Sequence, residues 1–299
     1  MVEGIIIKAL SGFYYVNTDS AVIECHARGL FRKNSDSPLV GDNVKIEILS
    51  DGTGVIKEIL PRRNFLLRPP IANIDKIFIV SSYSTPAPNT FVIDSMTAIA
   101  EDKGITPVIV FNKCDVGAFD DIVSVYKKSG FPVYVVSAAE NIGIDELKRE
   151  FKGCVSVFAG NTGVGKSSIL NAVYSDLSLK TGEVSEKLGR GRHTTRHVEL
   201  YPVAGGGFVA DTPGFSSLDI EESELIYKEN LQFAFREFDR FIGQCKFTSC
   251  THTGEKGCAV AEALKNGEIS SSRYDSYKRL YTELSKYKDW EIKNLTGKK

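Results

Sequence analysis

Eight consecutive residues near the middle of the chain match the phosphate-binding pattern G-x-x-x-x-G-K-S. The glycines of this pattern let backbone N–H groups turn toward phosphate oxygens, the lysine reaches the β- and γ-phosphates, and the serine hydroxyl binds Mg²⁺. We therefore predict that Lys166 and Ser167 hold the phosphates and the magnesium ion of a nucleoside triphosphate. The predicted loop consists of Gly160, Asn161, Thr162, Gly163, Val164, Gly165, Lys166, Ser167 and the adjoining Ser168.

The base is predicted from a second motif of the N-K-x-D form, which begins at Asn112. A carboxylate at Asp115 can accept hydrogen bonds from guanine N1–H and N2–H₂, which adenine does not present. Selection of this kind is strong because the wrong base leaves a buried polar group unpaired. We predict that Asn112 braces the loop and that the stem of Lys113 packs on the base. The guanine-binding residues are Asn112, Lys113, Cys114 and Asp115, with a companion loop of Ser137, Ala138 and Ala139.

A D-x-x-G element begins at Asp211 and ends at Gly214. In such elements the carboxylate holds Mg²⁺ through water and the glycine N–H senses the γ-phosphate. A basic stretch before it supplies two threonines for the Mg²⁺-sensing switch, Thr194 and Thr195. We assign Thr195 to the magnesium ion with Ser167 and Asp211, although the spacing does not separate it from Thr194.

Phe215 follows the D-x-x-G element, where Ras-like GTPases carry the glutamine that orients the attacking water. A phenylalanine ring cannot hydrogen-bond water, so hydrolysis is either slow in isolation or dependent on another group. We name His193 as the candidate catalytic residue because it lies on the switch loop and because a histidine side chain can act as an acid or base near neutral pH. The alternative is an exposed loop histidine without a catalytic role.

Three cysteines and a histidine fall within fourteen positions toward the C-terminal end. Three thiolates and one imidazole are the tetrahedral Cys₃His set of a structural zinc site, and four protein ligands leave no open position for catalysis. We predict one Zn²⁺ per chain that stabilises a small helical domain. The alternatives, a disulfide pair or unrelated thiols, are disfavoured by a cytosolic setting and by the histidine among the thiols. The ligands are Cys245, Cys250, His252 and Cys258.

Two different strand patterns are available to position these motifs. Five short strands rich in Ile, Val and Tyr predict a closed barrel of the OB type, at residues 4–10, 13–17, 21–26, 43–49 and 54–60. A linker is predicted at residues 62–70. From residue 74 onward, buried strands alternate with helices, which predicts a parallel sheet whose binding crevice lies at the carboxyl ends of the strands.

The predicted strands of this sheet are residues 74–80, 106–111, 132–136, 155–159 and 207–210, and the helices are 89–103, 120–129, 144–151 and 166–174. After residue 218 the pattern is mainly helical. The predicted fold class is thus multi-domain α/β, with a barrel at residues 1–68, a P-loop GTPase domain at 69–218 and a helical zinc-binding domain at 219–299. Because Asn112 precedes Gly160, the guanine motifs come before the phosphate loop, which indicates a circular permutation of the GTPase fold.

The net charge of −1 over 299 residues argues at first against a nucleic-acid partner. The distribution is uneven, however, because residues 216–245 sum to −4 and residues 246–299 to +4. Composition excludes a disordered chain and a disulfide-rich scaffold, and the longest apolar runs are too short for a membrane helix. We expect a cytoplasmic protein that does not bind membranes and is a monomer.

The motif order, the Cys₃His cluster and residues 40–44 together resemble the circularly permuted, ribosome small-subunit-dependent GTPases of the RsgA family, also called YjeQ or YloQ. The resemblance covers nearly the whole chain. It implies a bacterial factor of late 30S maturation that binds the subunit through 16S rRNA and hydrolyses GTP to GDP and phosphate when the subunit stimulates it. Thr162 departs from the serine of the family but retains a hydroxyl.

Arginines and lysines near the barrel agree with this expectation, and they are Arg28, Arg32, Lys33, Arg62 and Arg63. Two other functions remain as alternatives. One is a signalling GTPase whose zinc domain binds a protein partner, favoured by the near-neutral total charge. The other is a nucleotide-gated RNA-binding module without hydrolysis, favoured by Phe215.

Overall fold

The structure is a computed structural model, and it describes residues 1–27, 31, 37–83, 87–174, 198–203, 205–211 and 224–296. Two compact units emerge from the packing, and each gathers separate stretches of chain. The first unit comprises residues 1–76, 145–158 and 170–215, and the second comprises residues 77–144, 159–169 and 216–299. The three domains predicted in chain order therefore stay a prediction.

Five strands near the N-terminus close into a barrel, as predicted. Strand β1 pairs antiparallel with both β2 and β4, β2 with β3, and β4 with β5, while β3 and β5 are parallel. Alternate residues such as Ile23 and Cys25, or Val44 and Ile46, are buried, because successive side chains of a strand point to opposite faces. The strands are β1 (Val2–Leu10), β2 (Phe13–Asn17), β3 (Val22–Ala27), β4 (Asn43–Ile48) and β5 (Gly54–Ile59).

The segment predicted as a linker contains a two-stranded hairpin, which the sequence pattern did not indicate. Its strands β6 (Phe65–Leu67) and β7 (Pro70–Ala72) pair antiparallel. The strands are only three residues long and turn at two prolines, so they lack the longer alternation that marks a strand in sequence. Leu66 and Ile71 are buried, so the segment is part of the packed unit and not a free connection.

Arg62 and Arg63 form ion pairs within the first unit. Arg62 makes a bidentate contact with the fully buried Asp42, with both N–O distances at 2.7 Å. Arg63 Nη1 lies 2.7 Å from Asp75 Oδ1, and the other oxygen of Asp75 accepts the Val155 N–H at 2.8 Å. The expectation that these two arginines supply free charge for nucleic acid is therefore weakened. Arg28, Arg32 and Lys33 lie outside the described residues.

The first unit also carries strands β11 (Val155–Ala159), β12 (Glu199–Val203) and β13 (Gly207–Asp211). Strand β11 runs parallel to β13, and β12 is antiparallel to β13, so this sheet is mixed and not wholly parallel. Strand β12 was absent from the sequence prediction, because Pro202 within it is a weak strand signal. It also contacts β1 through Lys8 and Glu199, whose charged groups lie 3.1 Å apart.

The second unit holds the strands that carry the guanine motifs. Strand β9 (Thr106–Asn112) lies between β8 (Lys76–Ser82) and β10 (Val133–Val135), and β9 and β10 are parallel. Each motif directly follows the end of a strand, where α/β folds bind ligands. The helices of the GTPase portion in both units are α1 (Thr90–Asp102), α2 (Asp120–Lys128), α3 (Ile144–Lys148), followed by a 3₁₀ turn (Arg149–Phe151), and α4 (Lys166–Tyr174).

The C-terminal part of the second unit is helical, as predicted. It contains two 3₁₀ turns (Leu231–Ala234 and Arg236–Phe238) and helices α5 (Ala259–Lys265), α6 (Ser271–Leu284) and α7 (Asp289–Thr296). Its contact with α1 centres on the fully buried Arg273, which pairs with Asp94 at 2.8 Å and with Glu237 at 2.7 Å. The ring of Phe235 lies 4.5 Å from the same guanidinium. This charge is therefore satisfied from several sides, as a buried charge must be.

Candidate nucleotide site and candidate metal centre

The phosphate loop lies between β11 and α4, where the sequence motif predicts it. Gly160 and Gly165 both have positive φ angles, of 142° and 94°. A Cβ atom at Gly160 would overlap the carbonyl oxygen of Val80, and one at Gly165 would overlap Nδ2 of Asn112. Both positions therefore require glycine for conformational and steric reasons.

Lys166 folds back over its own loop. Its Nζ atom donates hydrogen bonds to the carbonyl oxygens of Gly160 and Asn161, at 2.6 and 3.0 Å. Burial lowers the pKa of Lys166, since removing water disfavours the charged ammonium. An anionic phosphate beside this ammonium would offset that cost, so the environment suits a lysine that contacts phosphate.

Asn112 links three segments that lie far apart in sequence. Its Nδ2 donates to the carbonyl oxygen of Val164 at 3.0 Å, and its Oδ1 accepts the N–H of Ala138 at 3.1 Å. Beside it, Lys113 Nζ donates to the carbonyl oxygen of Gly163 at 3.0 Å. The phosphate loop, the N-K-x-D loop and the Ser137–Ala138 turn therefore converge on one buried amide side chain.

The N-K-x-D loop holds Asp115 at the surface. Lys113 has a φ of 66°, an uncommon conformation for a residue other than glycine, and the N–H of Cys114 donates to Val136 at 3.1 Å. These features turn the chain so that Asp115 is exposed directly after the buried strand β9. In the companion turn, the buried hydroxyl of Ser137 accepts the N–H of Glu140 at 3.2 Å.

The structure describes only some of the remaining residues that are predicted to bind nucleotide. Ser167 and Ser168 are exposed in the first turn of α4, Thr162 is exposed in the loop, and Ala139 is exposed in its turn. Asp211 is the last residue of β13. His193, Thr194, Thr195, Gly214 and Phe215 lie outside the described residues.

Helix α1 lies beside the phosphate loop, a position that the sequence did not indicate. A small, partly open cavity lies between its first turns and the phosphate loop, bounded by Val92, Met96, Val80 and Val164 among others. The same helix carries Asp94, the partner of Arg273, which lies between Val92 and Met96 in the sequence. The apolar periodicity of α1 predicts only a packed helix, and nothing in it indicates a place beside the nucleotide loops.

The four predicted metal ligands come together in the second unit. Their ligand atoms all lie within 4.8 Å of one another. His252 Nδ1 lies 3.5 Å from Cys245 Sγ, 3.7 Å from Cys250 Sγ and 3.4 Å from Cys258 Sγ. Sγ of Cys245 and Sγ of Cys258 are 4.0 Å apart. The cluster therefore has the shape of a small tetrahedron.

These distances fit zinc. With Zn–S bonds of about 2.3 Å and Zn–N bonds of about 2.0–2.1 Å, a regular tetrahedron has S–S edges of about 3.8 Å and S–N edges of about 3.6 Å. A disulfide requires an S–S distance of about 2.05 Å, whereas the three cysteines are free thiols. The donor set and its spacing thus favour a tetrahedral metal ion over the two alternatives weighed from sequence.

The surroundings of the cluster orient the ligands. His252 Nε2 lies 3.0 Å from Oε1 of Gln232, so that nitrogen carries the proton and Nδ1 is left to face the thiols. The N–H groups of Ala259 and Ala261 point at the sulfur atoms of Cys245 and Cys258, at 3.3 and 3.5 Å. Gln232 is thirteen positions before the first ligand, so the Cys/His spacing could not have identified it.

Burial controls the protonation of the cluster when no cation is considered. It raises the pKa of Cys250 to about 12, raises the pKa of Cys258, and lowers the pKa of His252. A neutral imidazole is the form that binds metal, whereas the thiols must lose their protons to do so. The positive charge of a divalent cation bound within the Cys₃His cluster would offset the cost of burying the thiolates and so stabilise them.

Glu255 fixes the turn between the ligands His252 and Cys258. Its carboxylate accepts N–H groups from Thr251 at 2.7 Å, Thr253 at 2.9 Å and Gly254 at 3.1 Å. Burial opposes ionisation, but these hydrogen bonds prevail and lower the pKa of Glu255 to about 2. The negative charge of Glu255 is therefore stabilised within the turn by these N–H groups. The Glu255 side chain fixes the loop between the ligands in addition to the ligands themselves.

Comparisons with known proteins agree with this arrangement. The model of the RsgA GTPase family matches residues 59–221, and that of the RsgA N-terminal domain matches residues 3–56. Two relatives carry the name small ribosomal subunit biogenesis GTPase RsgA. That of Caldanaerobacter subterraneus subsp. tengcongensis is 46% identical and that of Geobacillus kaustophilus 47%. The alignments cover 98% and 96% of this chain and 99% of each relative.

Two solved structures are similar over nearly the whole chain. YjeQ from Thermotoga maritima superimposes with a TM-score of 0.81 at 35% identity, covering 96% of this chain and 99% of its own. YloQ, whose structure is titled a circularly permuted GTPase, gives a TM-score of 0.79 at 37% identity and covers 96% of each chain.

Fold and site together define a circularly permuted P-loop GTPase with an N-terminal five-stranded barrel and a C-terminal Cys₃His cluster. The predicted fold class and the predicted GTP hydrolase activity are confirmed. The chain belongs to the RsgA GTPase family. Within the described part of the chain, no helix is both long and apolar enough to cross a membrane.

Proposed function

We propose that this chain hydrolyses GTP while bound to the small ribosomal subunit during late 30S maturation, and that contact with the subunit stimulates hydrolysis. The observation that carries the proposal is the convergence of the guanine and phosphate loops on Asn112 in a chain of this family. The relatives' name, small ribosomal subunit biogenesis GTPase, supports the choice of the small subunit as the site of action.

At the nucleotide, Asp115 selects guanine and Lys166 binds the β- and γ-phosphates. The exposure of Asp115 and the loop-facing ammonium of Lys166 support these roles. Mg²⁺ arrives with GTP and is held by Ser167, Asp211 and Thr195, with Thr194 as the alternative threonine. The γ-phosphate is sensed by the N–H of Gly214.

The residue that usually orients the attacking water is replaced here by Phe215, whose side chain cannot hydrogen-bond water. His193 is the chain's own candidate for that role. Stimulation by the subunit follows naturally if the bound subunit orders His193 or contributes a group of its own. This explains why a GTPase with Phe215 would hydrolyse GTP mainly on its target.

The Cys₃His cluster holds one structural Zn²⁺ per chain. The ligand distances support the assignment, and so does the hydrogen bond from His252 Nε2–H to Gln232, which leaves Nδ1 facing the thiols. Four protein ligands complete the coordination, so the ion stabilises the fold and takes no part in hydrolysis. The zinc-binding domain corresponds to residues 219–299, following the GTPase domain at 69–218 and the barrel at 1–68.

The partner surface on the subunit includes 16S rRNA, which the barrel and the basic C-terminal region contact. The net charge of +4 over residues 246–299 supports this, since phosphate contacts need lysine and arginine. The protein acts as a monomer in the cytoplasm, where small subunits mature.

GTP turnover measured with and without purified 30S subunits tests the proposal. We expect turnover to rise by an order of magnitude or more with 30S subunits and to be unaffected by 50S subunits, which serve as the matched control. Equal turnover in all three conditions would contradict the proposal, and it would favour a signalling GTPase whose zinc domain binds a protein. Zinc content measured on the same preparation shows whether the C-terminal region is intact.

A further inference from the structure

The four residues between the first two metal ligands contribute nothing to the core of the second unit. This intercysteine loop, residues 246–249, consists of Lys246, Phe247, Thr248 and Ser249, and all four are exposed. Phe247 is 51% exposed, although it is the one large apolar side chain of the loop. Folding of the unit therefore does not account for a phenylalanine at this position.

The loop is held firmly despite its exposure. The N–H of Lys246 donates to the carbonyl oxygen of Gly257 at 2.9 Å, and the N–H of Cys250 donates to that of Phe247 at 3.2 Å. The candidate ligands Cys245 and Cys250 flank it on both sides. A loop whose backbone is fixed in this way loses little conformational freedom when a partner binds, which favours binding.

Cationic groups accompany two aromatic rings in this region, those of the exposed Phe247 and the half-buried Phe241. Lys246 Nζ lies 5.7 Å from the centre of the Phe247 ring, and the Arg240 guanidinium lies 4.8 Å from that of Phe241. Lys256 is exposed on the neighbouring turn, and the carboxylate of Glu255 is already used by backbone N–H groups. Arg240 also approaches Glu268, at 3.6 Å. Aromatic rings beside cations are typical of surfaces that bind single-stranded nucleic acid.

We propose that the ring of Phe247 stacks on an unpaired base of RNA while Lys246 contacts the adjacent phosphate. The inference rests on the proposed function and specifies which part of the RNA this loop recognises. A paired base offers no exposed face inside a helix, whereas a splayed base in a loop or bulge stacks readily on an aromatic side chain. A protein partner fits less well, because a single ring among Lys246, Thr248 and Ser249 provides little apolar area for a protein interface.

The binding test uses the full chain, with its zinc content verified, and 30S subunits as the probe. We expect Phe247→Ala to weaken 30S binding by about 5- to about 150-fold, the range that stacking of one base on an aromatic ring provides. Phe247→Trp should restore binding. Phe233→Ala is the matched control, because Phe233 is 57% exposed in the same unit and no cation lies over its ring among the described residues. We expect it to change binding by less than about twofold.

Salt dependence separates the two contacts. Lys246→Gln should reduce the slope of log affinity against log salt by about one, because one phosphate contact is lost. Phe247→Ala should leave that slope unchanged, because stacking releases no counterion. A slope that falls in Phe247→Ala as much as in Lys246→Gln would contradict the division of roles.

A fluorescence test reports the stacking directly, since Trp290 is the chain's one tryptophan. In a Trp290→Phe background, Phe247→Trp provides a reporter in the loop and Phe233→Trp a control elsewhere. We expect protein-free 16S rRNA and 30S subunits both to quench the emission of the first reporter and neither to quench the second.

Unchanged 30S affinity in Phe247→Ala would overturn the inference. So would a reporter at position 247 that responds to 30S subunits but not to protein-free 16S rRNA, which would indicate a ribosomal protein as the partner. Failure of the proposed function is distinguishable, because the unmodified chain would then neither bind 30S subunits nor respond to them in turnover.

Discussion

The nucleotide site and the Cys₃His cluster are assembled in opposite ways. All four ligands of the cluster come from fourteen consecutive positions, and their ligand atoms lie within 4.8 Å of one another. The nucleotide loops come from segments 26 and 52 positions apart that meet at Asn112. Asp115 and Ser167, two of the residues predicted to touch nucleotide, are exposed, one in the loop after a strand and the other in the first turn of a helix.

The two sites therefore obtain their stability from different sources. The buried thiols of the cluster need a cation to become thiolates, so ligand binding and local folding are coupled. The nucleotide loops follow strands that are buried by packing within the protein. The nucleotide should therefore change function strongly and stability modestly, whereas the metal should do the reverse.

Removing one metal ligand should have the largest effect. In Cys250→Ser the zinc content should fall from about one per chain to near zero, and the C-terminal helices should lose their cooperative unfolding transition, since such sites bind zinc with about 10–16 kcal/mol. Metal analysis and thermal unfolding measure this. Cys154→Ser, outside the cluster and half-buried, is the control and should keep its zinc. A Cys250→Ser variant with full zinc content would refute the ligand assignment.

The same site predicts a dependence on pH. Burial raises the pKa of Cys250 to about 12, so zinc must displace protons from the thiols, and protons compete better as the pH falls. The apparent zinc affinity should therefore decrease steadily on acidification, measured by competition with a chelator of known affinity. The unfolding of the C-terminal region should follow the loss of zinc.

Breaking the bridge at Asn112 should have the next largest effect. Asn112→Ala leaves the N–H of Ala138 and the carbonyl of Val164 unpaired in a buried place, which costs about 1–3 kcal/mol each. GTP affinity, measured by calorimetry, should fall by about 100-fold while zinc content is retained. Asn112→Asp keeps the acceptor toward Ala138 but places a buried carboxylate against the carbonyl oxygen of Val164, so its loss should be at least as large. Unchanged GTP affinity in Asn112→Ala would show that nucleotide binding does not depend on the convergence of the loops at Asn112.

The smallest effect is expected from the residue that orients His252. Gln232→Ala removes the acceptor of the Nε2–H, and loss of such a partner reduces metal affinity by about 10- to 100-fold. Gln232→Glu should restore most of the affinity, because a carboxylate also accepts that proton. GTP affinity should not change in either variant. Equal zinc affinity in all three proteins would show that the ligands need no orientation from Gln232.

Much of the fold follows from sequence because the signals are local. The alternation of apolar residues predicts all five barrel strands to within about two residues at either end, and the Val155–Ala159 strand and the Lys166–Tyr174 helix agree at both ends. The hairpin at Phe65–Ala72 and strand β12 were missed. Both are short and contain proline, which weakens the strand pattern on which the prediction depends.

Arg62 shows the same limit for charge. From sequence it counts as one positive charge near the barrel, available for phosphate. In the folded unit it binds the buried Asp42 with two hydrogen bonds, twenty positions away. Whether a charge faces solvent or another charge depends on the packing around it, which composition does not record.

The chemical groups of this protein can be identified from the sequence, because each motif depends on residue types at fixed short spacing. These motifs are the phosphate loop, the guanine motif in its permuted order, and the Cys₃His set. Only the tertiary structure decided which groups meet. It brought Asn112 between Val164 and Ala138, set Gln232 behind His252, and left Phe247 exposed beside Lys246. The physical reason is that hydrogen bonds and stacking act over a few ångströms, and the folded chain alone fixes which distant residues lie that close.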